Sequence, residues 1–247
     1  MRSIDLNADV GEGGKDEALL PFVSSANIAC GAHAGDAETM RRVLRMAIAG
    51  GVQVGAHPGY ADREGFGRRP MRLTEAGLRE LLINQIETLD EIAQGEGASV
   101  MHVKPHGALY NQAEDDDDLA TGIVAALRAY RRPLRLLARA GSAMERAAKA
   151  AAWPFLREAF ADRRYRPDGS LMPRPARGAL ITQGDEVVEQ VRSLVLRGEV
   201  LLDDGTQVPI AFESLCLHGD TPGAHELAIR IRQELDRLDV LVAAPSF

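Results

Sequence analysis

Aromatic residues make up only 4% of this 247-residue chain, and its two cysteines, Cys30 and Cys216, stand far apart with no CxxC spacing. Such usage points to neither a disulfide framework nor a zinc knuckle. No apolar run approaches the roughly 20 residues of a membrane span. The N-terminus offers a single basic residue, Arg2, and turns polar by Asp5. No signal peptide is therefore expected, and the cytoplasm is the expected compartment. Positive charge is in short supply: 29 Lys and Arg face 36 Asp and Glu, for a net charge of -7. That balance argues against nucleic acid as the partner, because phosphate backbones call for a basic face. HExxH and GxSxG are both missing, which weakens zincin and serine-hydrolase readings. The glycine-rich DLNADVGEGGK of residues 5–15 is no phosphate loop either. A Walker loop ends in Lys followed by Ser or Thr, whose hydroxyl binds magnesium. Here Lys15 is followed by Asp16 and Glu17, which would repel a polyphosphate.

What is present is an ordinary core-forming composition, 45% hydrophobic and 26% charged. A single domain over 1–247 is expected, since α/β barrels reach this length unsplit. Strand-like and helix-like segments alternate. Ser3 to Val10, Ser24 to Cys30, 52–57, 99–106, 133–141, 157–164 and 214–220 read as strands. Apolar residues at helical spacing follow most of them, as at Met40, Val43, Leu44 and Ala47, or at Leu78, Leu82, Ile86 and Leu89. Thr74 offers an N-cap, a helix is expected from about Asp117, and Asp204-Gly205 supplies the turn of a small hairpin. Pro222 is expected to open a closing helix. Roughly seven β-then-α units require a parallel sheet. Polar residues end nearly every strand, and only a barrel brings those ends to one mouth. A seven-unit (β/α) barrel is the expectation, preferred over an open sheet.

The strand ends carry the chemistry. With a period of two, Asp5, Asn7 and Asp9 share one face, as do His102, Lys104 and His106 in HVKPH, and Cys216, His218 and Asp220 in CLHGD. His33 and His57 follow two further strands. Single features have plain alternatives: a hydrogen-bonded structural histidine, a helix cap at Asp36, a solvated helix start in the EDDDD run of 114–118, a surface His225. The conjunction of four histidines, a lysine and carboxylates is costly to bury without purpose. Such a set could bind a divalent metal through His and Asp, as metal-dependent deacetylases do. It could equally work without one, with Asp9 or a histidine activating water and Lys104 stabilising an oxyanion. Spacing alone leaves both open.

The blocks DLNADVGE, VSSANIACGAHAGD, GAHPGYADREGFGRR, VKPHGALYNQ, FADRRYRPDGSLMPR and CLHGD, spread from residue 5 to residue 220, resemble the LamB/YcsF family. The resemblance implies a TIM-barrel-like variant related to sugar deacetylases. It also implies hydrolysis of a cyclic amide: 5-oxo-L-proline is opened to L-glutamate at the expense of ATP, which becomes ADP and phosphate. ATP would enter as a co-substrate, with Mg, and 5-oxoprolinase subunits B and C would complete the enzyme. Carried onto this chain, it casts Asp9 and His106 as proton-handling groups, with Lys104 and His57 against developing charge. Asn7, Asn27, His33, His218 and Asp220 would bind substrate. If a transition metal is present, Asp9, His33 and His57 are its candidate ligands. The rivals are a metal-dependent amidase that needs no ATP and a non-catalytic lactam-binding subunit. Two departures from the family pattern, the short GK after VGEG and Gly59-Tyr60-Ala61, fall on loops expected to rim the mouth.

Overall fold

Seven parallel strands close on themselves in the computed structural model, which describes residues 2–245. Met1, Ser246 and Phe247, which the expected 1–247 domain also takes in, lie outside the described residues. The strands are β1 (Arg2–Val10), β2 (Ser25–Ala29), β3 (Gln53–His57), β4 (His102–Val103), β5 (Arg135–Arg139), β6 (Phe155–Phe160) and β9 (Ser214–Cys216). Each pairs with the next, and β9 returns to β1 through Asp5↔Ser214 and Asn7↔Cys216, so the expected seven-unit barrel is the architecture found. Helices α1 (Ala37–Ala49), α2 (Glu75–Gly95), α4 (Asp117–Arg128), α5 (Ala143–Ala150), α6 (Gly184–Arg197) and α7 (Ala224–Arg237) surround it.

The outer layer is made by alternation. Leu6, Ala8 and Val10 of β1, Ala26 and Ile28 of β2, and Leu215 of β9 join the apolar core with Val43, Leu44, Leu82, Ile86, Leu127, Leu194 and Ile231 of the helices. Residues in register between these positions face the barrel interior, and they are polar. Capping follows the sequence signals. Thr74 accepts from the Gly77 amide, and Asp36 caps α1 through the Thr39 amide, so its role is local. Asp116 does the same for α4.

Several elements depart from expectation. The fourth strand is only two residues long because Pro105 has no amide to extend the ladder. Its neighbours still pair locally, Lys104 N with Ala56 O and His106 N with Pro58 O, both through backbone hydrogen bonds. An unexpected helix, α3 (Gly107–Asp115), begins at once after His106. The expected hairpin forms from β7 (Glu199–Leu201) and β8 (Gln207–Pro209), outside the barrel. A last strand, β10 (Val240–Val242), missed in the sequence, pairs with the first residues of β1, Arg2 to Ile4, ahead of the stretch that meets β9. The closing helix starts at Ala224 after Gly223, whose φ of 77° is left-handed, so Pro222 precedes the helix rather than opening it. No helix among the described residues is long and apolar enough to cross a membrane.

Candidate functional site

The barrel interior is a stack of hydrogen-bonded polar layers. In the lowest, the buried Asp5 carboxylate accepts from Ser24, Ser25 and Ser214 hydroxyls at 2.6, 2.7 and 2.5 Å. Burial still pushes its pKa up, against those three donors. In the middle layer Asn7 donates to Glu158 Oε1 at 2.9 Å and to Ser214 Oγ at 2.8 Å. Asn27 donates to Asn7 Oδ1 at 2.7 Å and to Asp9 Oδ1 at 2.8 Å, and accepts from His102 Nε2 at 2.8 Å. The His102 ring lies flat over Gly55: a Cβ there would come within 2.0 Å of its Nε2. Burial lowers the His102 pKa to about 3, with Lys104 adding to the effect, so the ring is neutral.

The top layer holds the charge. Lys104 Nζ is 3.0 Å from Asp9 Oδ1, 2.9 Å from Glu158 Oε1 and 3.1 Å from Cys216 Sγ. Burial disfavours its charge, but the attraction of Asp9 and Glu158 outweighs burial and raises the pKa well above the ordinary value. Asp9 mirrors this: burial would raise it, while His57 and Lys104 hold it well below the usual carboxylate range.

Beside this pair sits an imidazole cluster. His57 Nδ1 is 2.7 Å from the Lys104 carbonyl, and His106 Nε2 is 2.9 Å from the Phe66 carbonyl. A carbonyl only accepts, so both nitrogens carry hydrogen. The opposite nitrogens, His57 Nε2 and His106 Nδ1, face each other at 3.0 Å. Glu12 Oε1 lies 2.9 Å from His106 Nδ1, 3.7 Å from His57 Nε2 and 3.1 Å from His33 Nε2. His33 stacks on His106 at 3.7 Å, and burial depresses its pKa to about 4. Gly67, with φ of 64°, lets the backbone pass here, since a Cβ would meet His33 Cβ at 2.8 Å.

Over these groups opens a cavity of about 610 Å³ whose wall includes Asp9, Glu12, His57, Lys104, His106 and His218. His218 Nδ1 is 3.0 Å from the buried Asp162 carboxylate, which also accepts from Thr221 Oγ1 at 2.5 Å. At the rim, Asp220 bridges Arg68, at 2.5 Å, and Arg174. Arg163 also lines the cavity, donating to the Met172 carbonyl at 2.7 Å while its buried Nε has no partner.

The structure thus brings Asp9, His57, Lys104, His106 and His218 to one cavity. Asn7, Asn27 and His33 lie behind its wall, bonded to the lining residues Lys104, Asp9 and Glu12 respectively. Asp220 reaches the cavity, but two arginines engage its carboxylate. Gly59 packs behind the histidines, within 2.9 Å of His33 Nδ1 for an added Cβ, and does not rim the mouth. In the EDDDD run, Asp115 to Asp118 are exposed around the start of α4, as a solvated helix start requires, and Glu114 alone departs from it: it is buried 3.0 Å from Arg139 on the cavity wall, and burial outweighs that arginine and pushes its pKa up to about 7. Residues that sequence reasoning passed over are Glu12, Glu158, Asp162, Arg163 and Tyr110, which lines the cavity and donates its hydroxyl to Glu158 Oε2 at 3.0 Å. Glu12, Tyr110, Asp162 and Arg163 stood in the quoted blocks, and Glu158 shares an inward alternation with Phe160, which was the signal available.

The LamB/YcsF family model matches residues 4–246. A relative from Methylococcus capsulatus, named as the A-subunit of 5-oxoprolinase, is 50% identical over 249 residues, covering 98% of this chain and 96% of the relative. A solved lactam utilization protein from Thermus thermophilus superposes with a TM-score of 0.93 at 39% identity, covering 98% of this chain and 100% of that one. A family 4 carbohydrate esterase from Streptomyces lividans, solved with acetate, gives a TM-score of 0.53 at 13% identity over 99% of this chain and 93% of its own. That last likeness is one of fold alone.

Proposed function

This chain belongs to the LamB/YcsF family, and from that premise we propose that it is the A-subunit of an ATP-dependent 5-oxoprolinase acting with subunits B and C. The names of its relatives support a role in 5-oxoproline metabolism. The chemistry begins from a poor electrophile, a five-membered lactam stabilised by amide resonance. Transfer of the terminal phosphoryl group of Mg-bound ATP to the amide oxygen releases ADP and activates the ring carbon. Water adds to that carbon, and the C–N bond breaks with its electron pair and a proton going to nitrogen. A second water cleaves the resulting acyl phosphate, giving L-glutamate and phosphate.

The cavity's residues suit these steps. Lys104, fixed and charged, faces the negative charge that develops on oxygen when water adds. Asp9 keeps Lys104 charged and offers Oδ2 to orient the attacking water. His218, its Nδ1–H held by Asp162, takes the water proton at Nε2 and passes it to the ring nitrogen. Arg163, on the cavity wall with its Nε unpartnered, fits the substrate carboxylate. At about 610 Å³ the cavity has room for more than a small lactam, in keeping with a second substrate group.

The observation that carries this reading is Lys104, a buried ammonium held on the cavity floor by two carboxylates. The test is reconstitution of the chain with subunits B and C, following glutamate and ADP together. One glutamate per ADP, lost when this chain or ATP is left out, is expected. Glutamate release that needs no ATP would replace the reading with a plain amidase. Weakened 5-oxoproline binding with unchanged maximal turnover in Asp9→Ala or Lys104→Ala would leave it a non-catalytic binding subunit.

A further inference from the structure

We propose that Glu12 Oε1, His57 Nε2 and His106 Nδ1 form a binding site for one divalent first-row transition-metal ion, with the remaining coordination positions open to the cavity. Three observations carry this assignment. Both imidazoles have their far nitrogens committed to backbone carbonyls, His57 to Lys104 and His106 to Phe66. With a single proton on each ring the near nitrogens are therefore lone pairs facing each other at 3.0 Å, and Asp9 Oδ2, 3.4 Å from His57 Nε2, draws positive charge to the same point. Two facing lone pairs repel unless a cation or a proton lies between them. A backbone carbonyl on the far nitrogen is also the usual way of fixing the tautomer of a metal-binding histidine.

The second observation is spacing. The three donor atoms lie 2.9, 3.0 and 3.7 Å apart. Ligands about 2.1 Å from one ion stand roughly 3.0 to 3.4 Å from each other, between octahedral and tetrahedral arrangements. The donors need only small adjustments to share an ion. The third is charge. Asp9, Glu12 and Glu158 bring three buried or nearly buried carboxylates to the floor, and Lys104 is the ammonium among them. Two negative charges remain. Protonating one imidazole cancels one of them; protonating both His57 and His106 would set two N–H groups head to head at 3.0 Å. A divalent ion cancels both.

The donor set of two imidazoles and one carboxylate suits zinc, manganese, cobalt, nickel or ferrous iron, and is poor for magnesium, which prefers oxygen. Three protein ligands with open positions form the pattern of a site that also takes water or substrate. His33, a ligand candidate in the sequence, is a positioning residue here: its Nε2–H donates to Glu12 Oε1 and aims that carboxylate. A second group, Asp9, Cys216 and His218, also brings three donor atoms close together. There, however, Lys104 Nζ already stands 3.0 Å from Asp9 and 3.1 Å from Cys216, and its charge opposes a metal ion.

The test uses the intact chain alone, so its result stands apart from any outcome of the lactam assay. The chain is stripped with EDTA and titrated with Mn(II), Co(II) and Zn(II), with stoichiometry from calorimetry and metal content after desalting. One ion per chain is expected, with at least a roughly 10-fold weaker Kd in Glu12→Gln, His57→Ala and His106→Ala, and little change in Cys216→Ala. If a histidine variant fails to fold, pulsed EPR of the Mn(II)-loaded wild type reads the site directly, with coupling to imidazole nitrogen expected. No saturable binding of any of the three ions would overturn the proposal. So would binding that survives His57→Ala with His106→Ala but is lost in Cys216→Ala.

Discussion

The two faces of the same barrel strands obey opposite rules. Outward, Leu6, Ala8 and Val10 of β1 meet the helices in a wholly apolar layer. Inward, Asp5, Asn7 and Asp9, one residue out of step, build hydrogen-bonded layers with serines, asparagines, a histidine, a glutamate and a lysine. The outer layer supplies the burial that folds the chain, while the inner one fixes side chains by directional bonds. The lesson is a division of labour: stability can be lost from the outside with the site's chemistry intact, whereas changes inside disturb both.

The strongest way to break that contrast is Gly55→Ala. The added methyl would overlap the His102 ring at 2.0 Å, so the loss should exceed the roughly 1–3 kcal/mol of an ordinary overpacked site. Soluble yield and urea midpoint measure it, and His102→Ala in the same chain should restore part of the loss. A wild-type midpoint for Gly55→Ala would mean that the inner layers yield easily. Next comes Leu82→Ala in the outer layer, fully buried on α2. About 2–5 kcal/mol of stability should go, with turnover per folded molecule unchanged. A loss of turnover in folded protein would show that the two faces are not separable.

Acid sensitivity sharpens the comparison further. His102 is held near a pKa of about 3, below the 6.5 of an unperturbed histidine. The unfolded chain therefore binds its proton first as pH falls, and stability drains from about pH 6.5 down through the folded value. The slope is at most about 1.4 kcal/mol per pH unit. His102→Gln, which keeps a donor toward Asn27, should lose less stability than wild type between about pH 6.5 and 4, read from urea midpoints. Equal slopes would place the acid-sensitive group elsewhere. The smallest effect is expected at the rim, where Asp220→Asn breaks exposed pairs with Arg68 and Arg174 and should cost no more than about 1 kcal/mol.

Much of this was legible because alternation is a local property. A polar set at every second position of β1, repeated in HVKPH and CLHGD, announced one lined interior before any fold was known. Seven recurring units then pointed to closure. What stayed hidden depended on contacts distant in sequence. Glu114 reads as part of an acidic surface run until Arg139 of β5 is found beside it. Glu158 sits in a strand whose other residues gave no strong pattern, and its meaning comes from Lys104 and Asn7, far away along the chain. The two-residue β4 and the α3 start reflect Pro105 and Gly107, the latter at a left-handed φ of 56°. The Asn7, Asn27 and His33 side chains share the right faces, but alternation does not give depth along the barrel axis, and depth separates a wall residue from one behind it.

The most direct test of the role proposed for Lys104 is glutamate release by the proposed assembly with subunits B and C carrying Lys104→Met, normalised to folded protein by circular dichroism. A fall of about 100-fold or more in kcat is predicted, as for removal of a fixed oxyanion donor, with Leu82→Ala staying near wild type in the same assay. A well-folded Lys104→Met enzyme turning over at close to the wild-type rate would contradict it.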